Sequence, residues 1–308
     1  MNKVHVIVNP FSARGRTGKS WETIKEAIRP HFREFKYVFT EKPFQATEIA
    51  RELLCDGFDL LIGVGGDGTL NGISSGFFNA QSGQAINQDA AVGIIPSGTG
   101  SDFIRFMKVP RDFEKSAAHI KNSAIKRIDI GKITYDGTAR KKKSQYFVNV
   151  ADFGLGAEVI RSVSRVEASH RGAFTYYRGL LSTMMKFSSK SVRLTLDGKR
   201  QMQGDYLIGA VANGRIFGGG MIIAPQAEPD DGYFDLVLIE GMGKLEILAN
   251  TPLLYSGGIA RNPKVHILRA RHIRVESRDE VHIEYDGEIG DSLPAEFTVV
   301  EKAMNLRI

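Results

Sequence analysis

Apolar residues recur along this chain with two different rhythms, and the rhythm changes near Lys126. Before that point, short solid apolar runs alternate with stretches whose apolar positions fall three and four apart. Buried strands separated by amphipathic helices have this pattern. Val4 to Val8 is a β-branched run stopped by Asn9-Pro10, and reads as a buried strand entering a turn. Ser20 is placed to cap a helix that ends at Pro30, with Trp21, Ile24 and Ile28 on one face. Tyr37 to Thr40 suggests a second strand, and Thr47 to Leu54 a helix capped by Thr47. Leu60 to Val64 is a third strand, followed by Gly65-Gly66-Asp67-Gly68-Thr69 and a helix from Leu70 to Phe78. Ala91 to Ile95 is a fourth, closed by Pro96-Ser97-Gly98-Thr99-Gly100. Strands and helices alternating at this spacing predict a parallel sheet covered on both faces.

Beyond Lys126, strict alternation dominates. Val192, Leu194 and Leu196 alternate with Arg193, Thr195 and Asp197, and Ile273 and Val275 with Arg274 and Glu276. Val281, Ile283 and Tyr285 do the same against His282, Glu284 and Asp286. Half-buried antiparallel strands look like this. Two helical stretches interrupt them. One, Ala173 to Phe187, carries a stripe of Phe174, Tyr177, Leu180 and Met184 flanked by Arg171, Arg178, Lys186 and Lys190. It fits either a core-facing helix or one lying in a membrane interface. The other, Lys244 to Tyr255, is interrupted by Pro252. Arg140-Lys141-Lys142-Lys143 reads as a solvated hairpin tip. The expected organisation is an α/β domain over residues 1–128, rejoined by the last strands at 292–308, and a mostly antiparallel, sandwich-like β domain over 129–291.

Composition narrows the class. The 308 residues suffice for two domains at roughly 150 each. The chain is 42% hydrophobic and 25% charged, so a core of ordinary size forms and global disorder is excluded. A single cysteine, Cys55, excludes an internal disulfide and points to a reducing compartment, which for a soluble enzyme means the cytoplasm. Lys and Arg number 41 against 35 Asp and Glu, a net charge of +6. That balance favours phosphate-bearing partners without choosing among nucleotides, nucleic acid and anionic membrane. No apolar run approaches the roughly 18 residues of a membrane span, and the opening MNKVHVIVNPF is too briefly apolar for a secretory signal. No aromatic-plus-basic motif for nucleic acid appears.

Three strand ends carry small polar turns, after Val8, Val64 and Ile95. In a parallel sheet all three point to the edge where ligands of such sheets bind. Glycines let backbone approach a phosphate, and the N–H groups opening the next helix attract anions. Any one such turn is as readily structural; three on one edge favour phosphate. Ala13 to Ser20 reads A-x-x-x-x-G-K-S, one residue from the phosphate-binding loop G-x-x-x-x-G-K-[ST]. Its tight-turn glycine is replaced by Ala13, and the strand ends too early, so that reading is set aside. Arg14, Arg16 and Lys19 remain candidate counter-charges to a triphosphate. Asp67 stands among glycines that suit anions. A carboxylate there repels phosphate unless a divalent cation lies between them or it takes a proton. The structural alternative is a turn former or helix cap.

The string GGDGTLN at 65–71, with PSGTGSDF at 96–103, resembles the diacylglycerol kinase catalytic-domain family, which includes bacterial soluble lipid kinases, sphingosine kinases and ceramide kinases. Asn9-Pro10-Phe11-Ser12 looks like its opening N-P-x-S-G element, with Ala13 where glycine is usual. PSGTGSDF is similar to its P-L-G-T-x-N-D-F, with Ser97 in place of Leu and Ser101 in place of Asn. The match continues in order through Ile128-Asp129-Ile130-Gly131, Asn213-Gly214 with Gly218-Gly219-Gly220-Met221, Ala224-Pro225 to Asp231-Gly232, and Asp286-Gly287-Glu288. GGDG also occurs in NAD kinases and phosphofructokinases; PSGTGSDF and the closing DGE separate this chain from them.

The resemblance implies an NAD-kinase/diacylglycerol-kinase-like α/β domain, with ATP in a cleft between it and the β domain. It further implies ATP- and Mg2+-dependent phosphorylation of a lipid hydroxyl, diacylglycerol-like, at the inner face of the membrane. Asp67 falls among the catalytic groups, near the phosphates. Nucleotide binding falls to Asn9, Ser12, Arg14, Thr40, Gly65, Gly66, Asp67, Gly68, Thr69, Asn71, Gly98 and Thr99. Asp102 and Asp129 resemble the acidic pair that holds the catalytic Mg2+ through water; a plain helix cap is the alternative for Asp102. Glu228-Pro229-Asp230-Asp231-Gly232-Tyr233 resembles a structural Mg2+ loop, with Asp231 binding by its side chain and Glu228 and Tyr233 by carbonyls. A metal-free Pro-Asp-Asp-Gly turn is the alternative there. For the base, Glu288 is favoured and Asp286 second, because Asp-Gly is a common hairpin turn while Glu288 lies beyond it. Two other readings stay open: an NAD-kinase-like activity on a soluble hydroxyl, and a catalytically silent nucleotide-binding regulator. Which lipid is the acceptor is not written in the sequence, and a homodimer stands only as the commonest symmetric arrangement.

Overall fold

The computed structural model describes residues 3–79, 82–98, 101–137, 142–167, 182–183 and 186–308. They fall into two units. Unit 1 comprises Met1–Ile130, Pro229–Asp231 and Val300–Ile308, and unit 2 comprises Gly131–Glu228 and Gly232–Val299.

Unit 1 is built on β1 (Val4–Val8), α1 (Arg16–Lys19), α2 (Trp21–Ile28), β2 (Lys36–Phe39), α3 (Gln45–Cys55), β3 (Leu60–Gly65), α4 (Asp67–Gly76), β4 (Ala91–Pro96), α5 (Asp102–Phe106) and α6 (Phe113–Asn122). β2, β1, β3 and β4 lie side by side in that order, all parallel. β1, β3 and β4 are buried at every position, which is why their sequences are solid apolar runs. Trp21, Ile24 and Ile28 of α2, with Ala117 and Ile120 of α6, close on the face formed by Val6, Val8, Leu60, Ile62, Val64 and Ile95. α4 meets the opposite face, where a Cβ on Gly63 would stand 2.8 Å from Ile73. α4 in turn lies nearly backbone to backbone against α3. A Cβ on Gly72 would reach Ala46 at 3.1 Å, and one on Gly76 would reach Ala50 at 2.6 Å.

Several boundaries differ from the sequence reading. Ser20 separates α1 from α2 and makes no side-chain cap bond. Thr47 lies inside α3, and its hydroxyl donates instead to the Gly72 carbonyl at 2.9 Å. α4 starts at Asp67 rather than Leu70, because the Gly66 carbonyl already accepts the Thr69 and Leu70 amides at 3.0 and 3.1 Å.

Unit 2 begins within β5 (Ile125–Asp136), which pairs antiparallel with β6 (Lys142–Phe147). There follow β7 (Val150–Gly154), α7 (Leu155–Glu167), β8 (Lys190–Leu196), β9 (Arg200–Ala212), β10 (Ile216–Phe217), β11 (Met221–Ile222), β12 (Phe234–Glu240), α8 (Lys244–Ser256), a 3-10 turn (Gly258–Arg261), β13 (Val265–Ala270), β14 (His272–Ser277), β15 (His282–Tyr285), β16 (Glu288–Ser292) and β17 (Ala295–Arg307). β9 organises them. Its first half pairs with β8, which leads on to β14 and the start of β17. Its second half lies between β7 and β12, and continues outward to β15 and β16 on one side and β13 on the other. Both arms share one core, in which Leu194, Val275 and Phe297 meet Phe153, Phe234 and Ile283. β17 is divided. Ala295–Thr298 pair with β14, whereas Asn305 and Leu306 run parallel to β4, so unit 1 takes back only Val300–Ile308 of the stretch 292–308.

Pro252 does not interrupt α8. Asn250 and Thr251 donate side-chain bonds to the Glu246 and Ile247 carbonyls, both at 2.8 Å, and Leu248, whose carbonyl loses its helical donor, is exposed. Arg140, Lys141 and the stripe Phe174, Tyr177, Leu180 and Met184 lie outside the described residues. Among the described residues no helix is long and apolar enough to cross a membrane.

The α3–α4 contact leads to a direct expectation. Gly76→Val should lower stability by about 1–3 kcal/mol through overpacking, read as a lower urea midpoint at unchanged slope. An unchanged midpoint would show that the helices separate without strain.

Candidate active site

In unit 1 the polar turns leave β1, β3 and β4 at their C-terminal ends and are stitched together by backbone. The Asn9 amide donates to the Val64 carbonyl at 3.0 Å, and the Ser97 and Gly98 amides donate to Gly65 at 2.8 and 3.1 Å. The Thr40 amide closes on Val8 at 2.9 Å. Side chains add a second layer of ties. Asn9 Nδ2 donates to Thr69 Oγ1 at 3.4 Å, and Asn9 Oδ1 accepts the Phe11 amide at 3.1 Å. Thr17, which sequence spacing gave no reason to single out, is fully buried between the first and third turns. Its hydroxyl lies 2.5 Å from that of Ser12 and 2.8 Å from that of Ser97.

The glycines have separate duties. A Cβ on Gly65 would overlap the Thr69 side chain, whereas Gly68 faces open space. Gly66, Asp67 and Gly68 open α4, where the first amides have no intrahelical acceptor and carry the positive end of the helix dipole. Ala13, Arg14 and Gly15 are consecutively left-handed, with φ of 52°, 57° and 82°. That conformation costs an L-residue about 1–2 kcal/mol, so a glycine at position 13 would adopt it without strain. Arg14, Arg16 and Lys19 extend from this segment as exposed cations. Thr40, Thr69 and Asn71 are buried. Thr99 lies outside the described residues.

Asp67 does not cap its own turn. Its half-buried carboxylate accepts the amides of Asp102 and, at 3.4 Å, Ile104, and so closes the start of α5 from another loop. Burial pushes this carboxyl above its usual range and the Asp102 charge adds to the rise, while the α5 amides hold it down. Asp102 is the first residue of α5, buried, and 3.9 Å from Arg105. Asp129 is buried as well. Its carboxylate accepts the Lys302 amide at 2.7 Å, and its own amide donates to the Pro229 carbonyl at 2.6 Å.

In unit 2, Asp286 (φ 48°) and Gly287 (φ 87°) form the two-residue turn between β15 and β16, both left-handed as such a hairpin demands. Asp286 grips the β6–β7 link. It accepts the Val148, Asn149 and Val150 amides at 2.7, 3.0 and 3.0 Å, and returns its own amide to Val150 at 2.9 Å. With both oxygens so engaged it serves as an anchor. Glu288 stands just past the turn, half-buried, and burial raises its carboxyl above the usual glutamate range. Among the described residues no hydrogen bond reaches it.

Strand alternation puts Glu284 on a polar face, yet the structure buries it against Asp152, its direct partner across β15 and β7. α7 covers that face. The two carboxyls face each other at hydrogen-bonding reach, a contact that is favourable only while one of them keeps a proton. Burial pushes both upward, Asp152 to about 6 and Glu284, which also faces the Asp152 charge, well above its usual value. Their remaining oxygens hold backbone: Glu284 accepts the Gly287 amide at 2.8 Å, and Asp152 accepts the Ala157 amide of α7 at 2.9 Å. The pair therefore braces the turn that presents Glu288. Only strand pairing brings these two positions together, and no local motif announces them.

The segment 228–233 is already matched with cations of the chain. Arg215 binds the exposed Glu228 carboxylate, and Lys126 lies 3.2 Å from Asp230. The Tyr233 ring is sandwiched between the Arg269 and Arg271 guanidiniums, each 4.6 Å from its centre. Asp231 is exposed. Among the described residues, no three acidic, histidine or cysteine side chains gather into a metal-holding group.

A parallel nucleotide-type edge in one unit and an antiparallel sandwich in the other define a two-domain kinase fold. Two family models match: Diacylglycerol kinase catalytic domain over residues 3–133, and YegS C-terminal NAD kinase beta sandwich-like domain over residues 149–308. The chain belongs to the diacylglycerol kinase family, and is an enzyme of the phosphotransferase class with an alcohol group as acceptor. It is 29% identical over 295 residues to the diacylglycerol kinase of Staphylococcus saprophyticus, covering 96% of this chain and 92% of that one. It is 27% identical over 298 residues to that of Bacillus subtilis, covering 96% and 93%. Among solved structures, a putative diacylglycerol kinase from Bacillus anthracis superposes with a TM-score of 0.77 at 24% identity, covering 99% of this chain and 94% of that one. Yeast NADH kinase complexed with NADH does so at 0.55 and 14%, covering 99% and 82%, and shows the shared fold.

The retained proton makes a prediction about stability. Carboxyls raised above their unfolded values stabilise the fold at low pH and lose that contribution as pH climbs through the raised values. Glu284→Gln keeps an acceptor for Gly287 and a donor for Asp152 with one ionisation fewer. From about pH 5 to pH 8 the wild-type melting temperature should fall relative to that of the variant. Parallel curves would show that neither carboxyl keeps it.

Proposed function

We propose that this enzyme transfers the γ-phosphate of ATP to the hydroxyl of a diacylglycerol-like lipid, with Glu288 as the base. The observation that carries the reading is the contrast within one turn: Asp286 is consumed by three backbone amides, whereas the raised, half-buried Glu288 carboxylate meets no hydrogen-bond donor among the described residues. A base must have a free lone pair aimed at the hydroxyl and an affinity for protons nearer to working pH. Phosphoryl transfer otherwise asks for positioning and charge neutralisation. The amides opening α4 at Gly66, Asp67 and Gly68, the hydroxyls of Ser12 and Ser97, and the exposed cations Arg14, Arg16 and Lys19 supply these in unit 1. Asp67 fixes α5 relative to β3, and so sets the loop that carries Gly98.

Glu288 takes the hydroxyl proton as the lipid oxygen forms its bond to the γ-phosphorus, and the bond to the ADP oxygen breaks. Bound with ATP, Mg2+ would supply charge screening for its phosphates. Asp102, buried beside Asp67 at the start of α5, would be the carboxylate to hold such a cation.

Glu288→Gln should leave the enzyme at least as stable as the wild type, since it removes a carboxyl whose ionisation burial disfavours, and reduce kcat by about 10²-fold or more. Unaltered kcat in the folded variant would remove Glu288 from the role. In the wild type, kcat should rise with pH through a midpoint above the ordinary glutamate range, because the base must be ionised and burial raises its pKa. The primary assay follows labelled γ-phosphate into a lipid extract, with NAD as a parallel acceptor. Label on NAD alone would assign an NAD-kinase-like activity instead.

A further inference from the structure

α8 is apolar on both sides. Ile247 and Leu254 turn inward and pack on the core formed by Val237, Ile239, Ile259 and Val265. The outward stripe at helical spacing is Leu245, Leu248, Ala249, Pro252, Leu253 and Tyr255, every one of them exposed. Leu245 is 82% exposed, and no residue of α8 is fully buried. Of the ten exposed large apolar side chains among the described residues, four fall on this one helix. A water-facing surface helix carries charge where this one carries leucine.

The charges around the stripe are one-sided. Glu246, the single acid of α8, is neutralised by Lys264 at 2.7 Å. Lys244 at the head of the helix and Arg261 in the following 3-10 turn are exposed and make no ion pair among the described residues. Tyr255 closes the stripe with an amphipathic ring of the kind favoured at a membrane–water boundary. Six side chains on one helix fall well short of the roughly 20–30 residues per side of a stable protein interface. A bilayer makes no such demand, since a short apolar face inserted beside cationic groups binds anionic lipid reversibly.

We propose that the outer face of α8 docks the enzyme on anionic membrane, seating Leu245, Leu248, Leu253 and Tyr255 among the lipids with Lys244 and Arg261 against the headgroups. This rests on the lipid-kinase reading, because an acceptor with acyl chains resides in the bilayer.

The test is co-sedimentation with phosphatidylglycerol/phosphatidylcholine vesicles, against vesicles of phosphatidylcholine alone. Wild type should sediment with the anionic vesicles, and Leu245→Glu/Leu248→Glu should lose about tenfold or more of that binding. Leu245→Ser/Leu248→Ser, without added charge, should lose it too. Both variants should turn over a monomeric short-chain diacylglycerol at the wild-type rate, which shows that they fold. Equal sedimentation of wild type and variants, or none by wild type, would overturn the proposal. So would a wild-type dimer, seen by light scattering, that the same substitutions split: a second copy would then be what covers α8. Absence of transfer to the monomeric acceptor by a wild type that still sediments would fell the lipid-kinase reading and leave the surface standing.

Discussion

A carboxylate withdrawn from water must be met by donors, and this chain repeatedly meets it with peptide amides from a distant segment. Asp67 takes amides of α5, Asp129 that of Lys302, and Asp286 those of three successive residues of the β6–β7 link. Asp197, though exposed, makes the same kind of tie to the Arg271 and His272 amides, both at 2.9 Å. Each such bond fixes a loop to an element far along the chain. Loops are ordinarily the mobile parts of an α/β protein; here their geometry is dictated by charge that has nowhere else to go.

That economy also sorts the acids by role. Those holding amides are fixed in place and have little freedom to exchange protons with a substrate. Asp152 and Glu284 go further: facing each other in a site closed to water, they are both pushed toward the protonated form, which ties the brace behind the hairpin to protonation. Among the described residues, Glu288 is left as the acid of the hairpin that is both half-buried and unengaged. In unit 1 the complement holds: the groups still available at the strand ends are donors, namely amides, hydroxyls and exposed cations, which suits a polyanion.

The two-part fold was legible because its signals are local. Strands buried on both faces show as solid apolar runs at β1, β3 and β4, and half-buried ones as alternation at β8 and β14. Short elements escaped: α5 and α6 are too brief or too polar to impose a period, and the glycines around Asp67 masked the true start of α4. Alternation misled at Glu284, since the polar face it defines is covered by α7, an element whose position only tertiary packing determines. Thr17 and Asp152 were missed for the same reason. Their partners are remote in sequence, and a lone threonine or aspartate carries no pattern.

Thr17 gives this edge of the parallel sheet an internal logic. Each hydroxyl has a single hydrogen to give. Ser12 can donate to the Asn9 carbonyl at 3.0 Å or to Thr17, and Thr17 can donate to Ser12 or to the Ser97 carbonyl at 3.2 Å. An acceptor that draws the Ser12 hydrogen outward leaves Ser12 able only to receive. Thr17 must then turn its hydrogen toward Ser12, neither Ser97 oxygen receives it, and the Ser97 hydroxyl at 2.8 Å is left to donate to Thr17. Two turns separated by most of a domain's sequence are thus wired through the direction of one O–H bond, so that a ligand atom touching the first rewrites the hydrogen-bond polarity of the third without moving a heavy atom.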